Sequence, residues 1–140
     1  MEILARKAQE RDFEYLLKMD KHVEESWVRR CLSLDEYIIG EFGGQARAFM
    51  RYSFFWGDIP YMDMIWVEEK FRKKGIGSVI IEFWTKEMKT LDKRILMTSA
   101  MSNEPPPLAW HKRNGFVECG QLCFGSLEPI PEIFLLKELN

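Results

Sequence analysis

The stretch Trp66-Val67-Glu68-Glu69-Lys70-Phe71-Arg72-Lys73-Lys74-Gly75-Ile76-Gly77-Ser78 ends one kind of backbone and begins another. Upstream, Tyr61 to Val67 is an apolar run with the character of a strand. Downstream, Ile76, Val79, Ile80, Phe83, Trp84, Met88 and Leu91 recur on one broad face, which predicts a helix from Gly75 to about Leu91. A strand that passes through a basic turn into a helix suits an anion. The first N–H groups of a helix lack intrahelical partners and sit at the positive end of its dipole, and glycines at 75 and 77 let a ligand approach the backbone closely. Spacing narrows the choice of phosphate site. A P-loop needs a longer interval between its glycines and then Gly-Lys-Ser/Thr, and a dinucleotide fingerprint needs a third glycine; neither pattern is present.

Outward from this junction, strands and helices interleave without repeats or long linkers. Ile3 to Ala8 is a short strand candidate, and Glu10-Arg11-Asp12 opens a helix with Phe13, Leu16, Leu17 and Met19 near helical spacing. Asp20 to Glu25 reads as a polar break. Ser26 then caps a second helix of about two turns carrying Trp27, Val28, Cys31 and Leu32. A meander follows: Tyr37 to Phe42, a Gly43-Gly44 turn, Ala46 to Trp56, a Gly57-Asp58-Ile59-Pro60 turn, and Tyr61 to Val67. After the main helix come a strand from Arg94 to Ala100, a Pro105-Pro106-Pro107 break, a short helix from Leu108 to Arg113, and closing strands near Val117 to Phe124 and Glu132 to Leu139.

Bulk properties bound the function. A chain of 140 residues suits one domain with a substantial core. With 20 basic against 22 acidic residues the net charge is −2, so no field over the whole molecule draws it to nucleic acid or an anionic membrane, and anion binding must be local. Cys31, Cys119 and Cys123 form no Cys-x-x-Cys pair or ligand set, the count of 2 histidines argues against zinc, and an odd number of cysteines fits a reduced cytoplasm. The N-terminus has no signal-peptide pattern, and no apolar run reaches the ~18 residues of a membrane span. The expectation is a cytoplasmic protein.

Arg72-x-x-Gly75-x-Gly77 resembles the Arg/Gln-x-x-Gly-x-Gly/Ala signature of the GNAT superfamily of acetyl-CoA-dependent N-acetyltransferases. The likeness continues through the strand before the loop, the helix after it, the strand to Ala100, and Leu108-Ala109-Trp110-His111-Lys112-Arg113-Asn114-Gly115-Phe116, which is close to the family's aromatic/His, polar, Gly-Phe ending. It implies a single N-acetyltransferase domain over 1–140 with a mixed α/β fold: a mostly antiparallel twisted sheet of roughly six to seven strands, about four flanking helices, and a splayed strand pair at the cofactor site. It also implies acetyl-CoA as co-substrate and no metal. Backbone groups of Ile65, Trp66 and Val67 would bond pantetheine, and the N–H groups of Lys73, Lys74, Gly75, Ile76, Gly77 and Ser78 would hold the pyrophosphate, with charge from Arg72, Lys73 and Lys74. Asn103 is a further cofactor contact by resemblance, although its interval to Gly115 is longer than usual by one residue.

Acetyl transfer to an amine poses two proton problems. An ammonium of pKa about 10.4, if lysine-like, must lose a proton before it attacks, and the departing thiolate needs a donor. His111, four residues before Gly115, stands where most of the family has tyrosine, and resemblance gives it the acid's role together with a cofactor contact. Asp63 is the carboxylate inside the strand leading to the loop, on the face of Tyr61, Ile65 and Val67, and is the candidate base; Asp58 and ordered water compete with it. Trp27, Phe54, Trp56 and Tyr61 are candidate acceptor-binding residues, since an aromatic pocket favours an apolar or cationic amine. The cysteines have no evident histidine partner, so direct attack in a ternary complex is expected over an acyl-enzyme. The expected partner is a small-molecule primary amine, with no nucleic acid and no membrane, and the aromatic content is compatible with a homodimer. Competing readings are a non-catalytic acyl-CoA-binding or sensing module and an enzyme acting on protein N-termini or lysines.

Overall fold

The computed structural model describes residues 1–140. Its elements are β1 (Ile3–Lys7), a 3-10 turn (Glu10–Asp12), α1 (Phe13–Met19), α2 (Glu25–Ser33), β2 (Tyr37–Phe42), β3 (Gln45–Phe55), β4 (Ile59–Val67), a second 3-10 turn (Glu69–Phe71), α3 (Ile76–Thr90), β5 (Ile95–Met101), α4 (Pro105–Arg113), β6 (Val117–Leu122) and β7 (Glu132–Glu138). The strands form one 7-stranded sheet in the order β1-β2-β3-β4-β5-β7-β6. β1–β2, β2–β3, β5–β7 and β6–β7 are antiparallel and β4–β5 is parallel, so the fold is the mixed, mostly antiparallel α/β sheet that the sequence predicts. The parallel ladder is short, Tyr61↔Met97 and Met62↔Thr98, while β4 itself continues to Val67. That is the splay expected at the end of this strand.

The chain divides into two compact units, one of Met1–Tyr52 with Met64–Lys86, the other of Ser53–Asp63 with Glu87–Asn140. In the first, Phe13, Leu16, Val28, Cys31, Leu32, Tyr37, Ile39 and Phe49 form a buried cluster. Here α3 lies close on β2: a Cβ on Gly40 would come within 2.8 Å of both Ile76 Cγ2 and Ile80 Cδ1. Only glycine allows that approach. Trp84 of α3 is fully buried, tilted against Tyr52 at 5.7 Å between ring centroids. Two ion networks are folded into this unit. Arg6 holds Asp12 through two nitrogens at 2.8 and 2.9 Å and Glu41 at 2.6 Å, and the buried Asp20 accepts from Arg51 Nε at 2.7 Å and Tyr37 Oη at 2.6 Å. In the second unit β5 is flanked by α4 and β7; Leu96, Met97, Leu108, Phe116 and Leu135 are buried.

Several boundaries differ from expectation for local reasons. α2 starts at Glu25, because Glu24 is already extended and its carbonyl accepts from Trp27 and Val28, so Ser26 lies within the first turn and caps nothing. The first helix opens as a 3-10 turn, since the Asp12 carboxylate is tied back to the Gln9 N–H at 2.7 Å. Pro105-Pro106-Pro107 begins α4 instead of breaking the chain ahead of it. First-turn N–H groups have no helical acceptor, so proline there forfeits no hydrogen bond. Leu91, expected on the buried face of the main helix, lies beyond its end and is 54% exposed.

Candidate active site

The loop before α3 has the geometry of an anion cradle. Lys73 has φ +62° and Gly75 φ +91°, so the backbone enters the left-handed region on either side of Lys74. A Cβ at Gly75 would meet nothing within 4 Å, which leaves that face of the loop open. The first backbone bond at the head of α3 is Val79 N–H to Gly75 O at 3.1 Å, and no backbone carbonyl accepts from the N–H groups of Lys73, Lys74, Gly75, Ile76 or Gly77. Alternation of left-handed and helical residues, followed by a helix N-terminus, aims amides outward together.

Side chains around the loop fix its entry. Arg72 turns back and donates from Nε to Val67 O at 2.8 Å. A carbonyl has two lone pairs, so a pantetheine amide bonding Val67 would share that oxygen with Arg72. The Lys74 ammonium stands 5.6 Å over the Phe42 ring, and Arg47 lies 4.5 Å over Phe71 while pairing with Glu68 at 3.6 Å. Ile65, Trp66 and Val67 are half-buried, with Trp66 tilted against Phe49. Asn103 is exposed in the turn before α4.

In the second unit, β4 carries polar groups. Asp63 accepts from Ser53 Oγ at 3.0 Å. Tyr61 stacks on Phe134 with centroids 6.2 Å apart, and its hydroxyl meets Ser99 Oγ in a short hydrogen bond. Ser99 Oγ in turn donates to Glu132 Oε2 at 2.7 Å. Burial raises the Tyr61 phenol above its usual range, with further push from Asp63 and Glu132. Glu132 is also raised, by burial and by the negative charges of Glu128 and Glu104, against the pull of the Ser99 hydrogen bond. Asp58 sits in the exposed turn before β4 and pairs with Lys93 at 3.0 Å.

His111 is 5% exposed, set edge-on against Trp110 and Phe116, and its Nδ1 has no hydrogen-bond partner. Burial pushes its pKa down to about 4. The imidazole is therefore neutral near pH 7, and a role as imidazolium donor would require the site to supply a proton that burial disfavours. Of the aromatic candidates, Trp27 lines a shallow recess of about 460 Å³ with Lys21, His22, Val23, Glu24 and Ser26. Arg30 already covers one face of its ring at 4.6 Å. Phe54, Trp56 and Tyr61 do not line that recess: Phe54 carries Lys93 over its ring at 5.6 Å, and Trp56 is 84% exposed at the tip of the β3–β4 hairpin. Burial raises the Cys31 thiol, which makes it a poor nucleophile. No group of three or more His, Cys, Asp or Glu could hold a metal ion, and no helix is long and apolar enough to cross a membrane.

The sequence pattern of the acetyltransferase (GNAT) family matches residues 2–116. The chain belongs to that family. A comparison with curated protein sequences found no match. Among solved structures, this GNAT chain superposes on the ribosomal-protein-alanine N-acetyltransferase from Brucella melitensis with TM-score 0.82 and 20% identity, covering 97% of this chain and 99% of that one. It matches Ard1 from Thermoplasma volcanium with TM-score 0.85 and 13% identity over 100% and 99% of the two chains. A protein described as a streptothricin acetyltransferase from Bacillus anthracis, solved in complex with acetyl coenzyme A, gives TM-score 0.83 and 14% identity over 100% of both. At these identities the likeness is one of fold.

Two features of this GNAT chain escape sequence reasoning. The Tyr61–Ser99–Glu132 chain depends on the β5–β7 register, in which Ser99 faces Phe134 and Met101 faces Glu132, and nothing local to Glu132 signals it. The burial of His111 depends on Phe116 folding back onto α4, which the Gly115 turn at φ +93° permits.

Proposed function

We propose that this GNAT chain moves the acetyl group of acetyl-CoA to a primary amine of a small molecule, by direct attack within a ternary complex. The observation that carries the reading is the run of amides from Lys73 to Gly77 without backbone acceptors, opened by positive φ at Lys73 and Gly75. These would hold the diphosphate of coenzyme A, with Lys73 and Lys74 adding charge, Ser78 and Arg72 beside them, and the end of β4 at Ile65, Trp66 and Val67 meeting pantetheine. The co-substrate supplies the activated acyl group; the chain orients it and manages protons. Asp63, half-buried on β4, is the base in this reading, Asn103 is a cofactor contact, and His111, a neutral imidazole, takes the acid's role as a hydrogen-bond donor and not as the source of a full proton. The recess at Trp27 supports a small acceptor, because it is lined by a short continuous segment instead of an extended groove.

Coenzyme A titrated against thermal stability tests the reading. A ligand that binds only the native state at 100 times its Kd stabilises it by about 2.7 kcal/mol. A rising Tm is expected, and a Tm unmoved at millimolar coenzyme A would overturn the assignment. For the acceptor class, thiol release measured across arylalkylamines, polyamines and peptides with free N-termini should saturate with a small amine; turnover of peptides alone would shift the reading to a protein substrate.

A further inference from the structure

This inference rests on the reading of the amides of residues 73–77 as a diphosphate site and extends it. We propose that Arg47 of β3 is a positioning residue for that site: its guanidinium seats the Glu69–Phe71 turn, and through Phe71 and Phe42 the seat reaches Lys74, so the cradle is set before a ligand arrives.

The need for a seat comes from the loop itself. Phe71 N–H bonds Glu68 O at 2.8 Å and Arg72 N–H bonds Glu69 O at 3.3 Å, and the next such bond is Val79 N–H to Gly75 O at 3.1 Å. Amides kept free for a ligand cannot hold their own loop, and any ordering left to the ligand is subtracted from its affinity. The direction of the loop must therefore be fixed by side chains at its entry.

Arg47 stands at that entry. Its carbonyl accepts from Glu68 N–H at 2.9 Å, Nη1 pairs with Glu68 Oε1 at 3.6 Å, and Nη2 donates to Gln45 Oε1 at 2.6 Å. Held in this way, the guanidinium lies 4.5 Å over the Phe71 ring. Phe71 is tilted against Phe42 with centroids 5.5 Å apart, and the Lys74 ammonium stands 5.6 Å over Phe42. The order cation, ring, ring, cation thus runs from β3 to the cradle. Glu68 is also tied to α1, since Tyr15 Oη donates to its Oε2 at 3.3 Å. Arg47 Nε is buried without a hydrogen-bond partner, so the side chain keeps its place over Phe71 at a cost that a solvated arginine avoids. A flat guanidinium can stack and pair at once, which the compact ammonium of lysine does less well. All these residues belong to the first compact unit.

The test is calorimetric titration of the full chain with coenzyme A and with dephospho-coenzyme A, which keeps the diphosphate but lacks the ribose phosphate. Arg47→Met and Phe71→Leu should each weaken both ligands about tenfold, and the double variant should bind about as well as the weaker single, because the two side chains act through one contact. Arg47→Lys should recover little, while Phe71→Tyr, which keeps the ring, should bind as the wild type does. Urea midpoints of the single variants should move little, since both side chains are half-buried; were Arg47→Met not to fold, the Phe71 pair would carry the test. Losses that add in the double variant, or wild-type affinity in Arg47→Met or Arg47→Lys, would overturn the proposal. A loss confined to coenzyme A would do the same by making Arg47 a direct contact of the ribose phosphate. So would recovery of Arg47→Met on adding Glu68→Gln, which traces the loss to an uncompensated carboxylate. A wild type that binds neither ligand marks failure of the underlying reading instead.

Discussion

Lowering the pH should destabilise this protein through one histidine, and the size of the effect follows from burial. The His111 ring is 5% exposed, packs edge-on against Trp110 and Phe116, and has its pKa pushed down to about 4. In the unfolded chain it returns to about 6.5. Between these values the unfolded state binds a proton that the folded state refuses. Stability therefore falls as pH drops from about 6.5 toward 4 and levels off below, at ~1.4 kcal/mol per pH unit, or ~3 kcal/mol in all from this group. The change runs opposite to that of a histidine paired with a carboxylate, which would gain stability on acidification. Urea unfolding of the wild type and His111→Leu from pH 7.5 to 4.5 isolates the term, because leucine removes the titration while keeping an apolar side chain. The variant's curve should lack the ~3 kcal/mol drop. Parallel curves, or an NMR titration of the His111 ring near 6.5, would refute the reasoning and restore an imidazolium at working pH. At pH 7 and a pKa of about 4, only about one ring in a thousand is protonated.

Two packing predictions follow from the first unit. Gly40→Ala places a methyl within 2.8 Å of Ile76 and Ile80 on the helix that carries the anion cradle, so it should destabilise by about 1–3 kcal/mol and lower coenzyme A affinity together; urea unfolding and ligand titration check both, and an unchanged midpoint would show that α3 gives way freely. Asp20→Ala removes the buried carboxylate that accepts from Arg51 and Tyr37, and should cost roughly 3–5 kcal/mol by unfolding, where a loss below about 1 kcal/mol would show that water or another acceptor takes its place.

The cradle was legible in the sequence because its parts are adjacent in the chain. Positive φ at Gly75, basic side chains at 72–74 and the apolar face of α3 are each set within a few residues, and the strand before them is a short apolar run. The element order was legible for the same reason. Boundaries were less so where a side chain reached outside its element, as Asp12 does to Gln9 and Arg6, or where proline's fixed φ served a helix start as well as it would a loop.

Acid–base chemistry was the hardest to read, because it depends on pairings that only strand register creates. From the sequence, His111 and Asp63 are the natural acid and base: one has the right intrinsic pKa, the other the right strand. Folding bears on both. His111 loses its charge to burial, and Asp63 accepts a hydrogen bond from Ser53 on the neighbouring strand. Glu132 has its proton affinity raised by burial and then by Glu128 and Glu104, against the pull of the Ser99 hydrogen bond, and Ser99 links it to the Tyr61 phenol on β4. Asp63 keeps its candidacy on position, half-buried on β4, and a pH profile tests it: an acid limb of kcat that survives Asp63→Asn would move the base to another group.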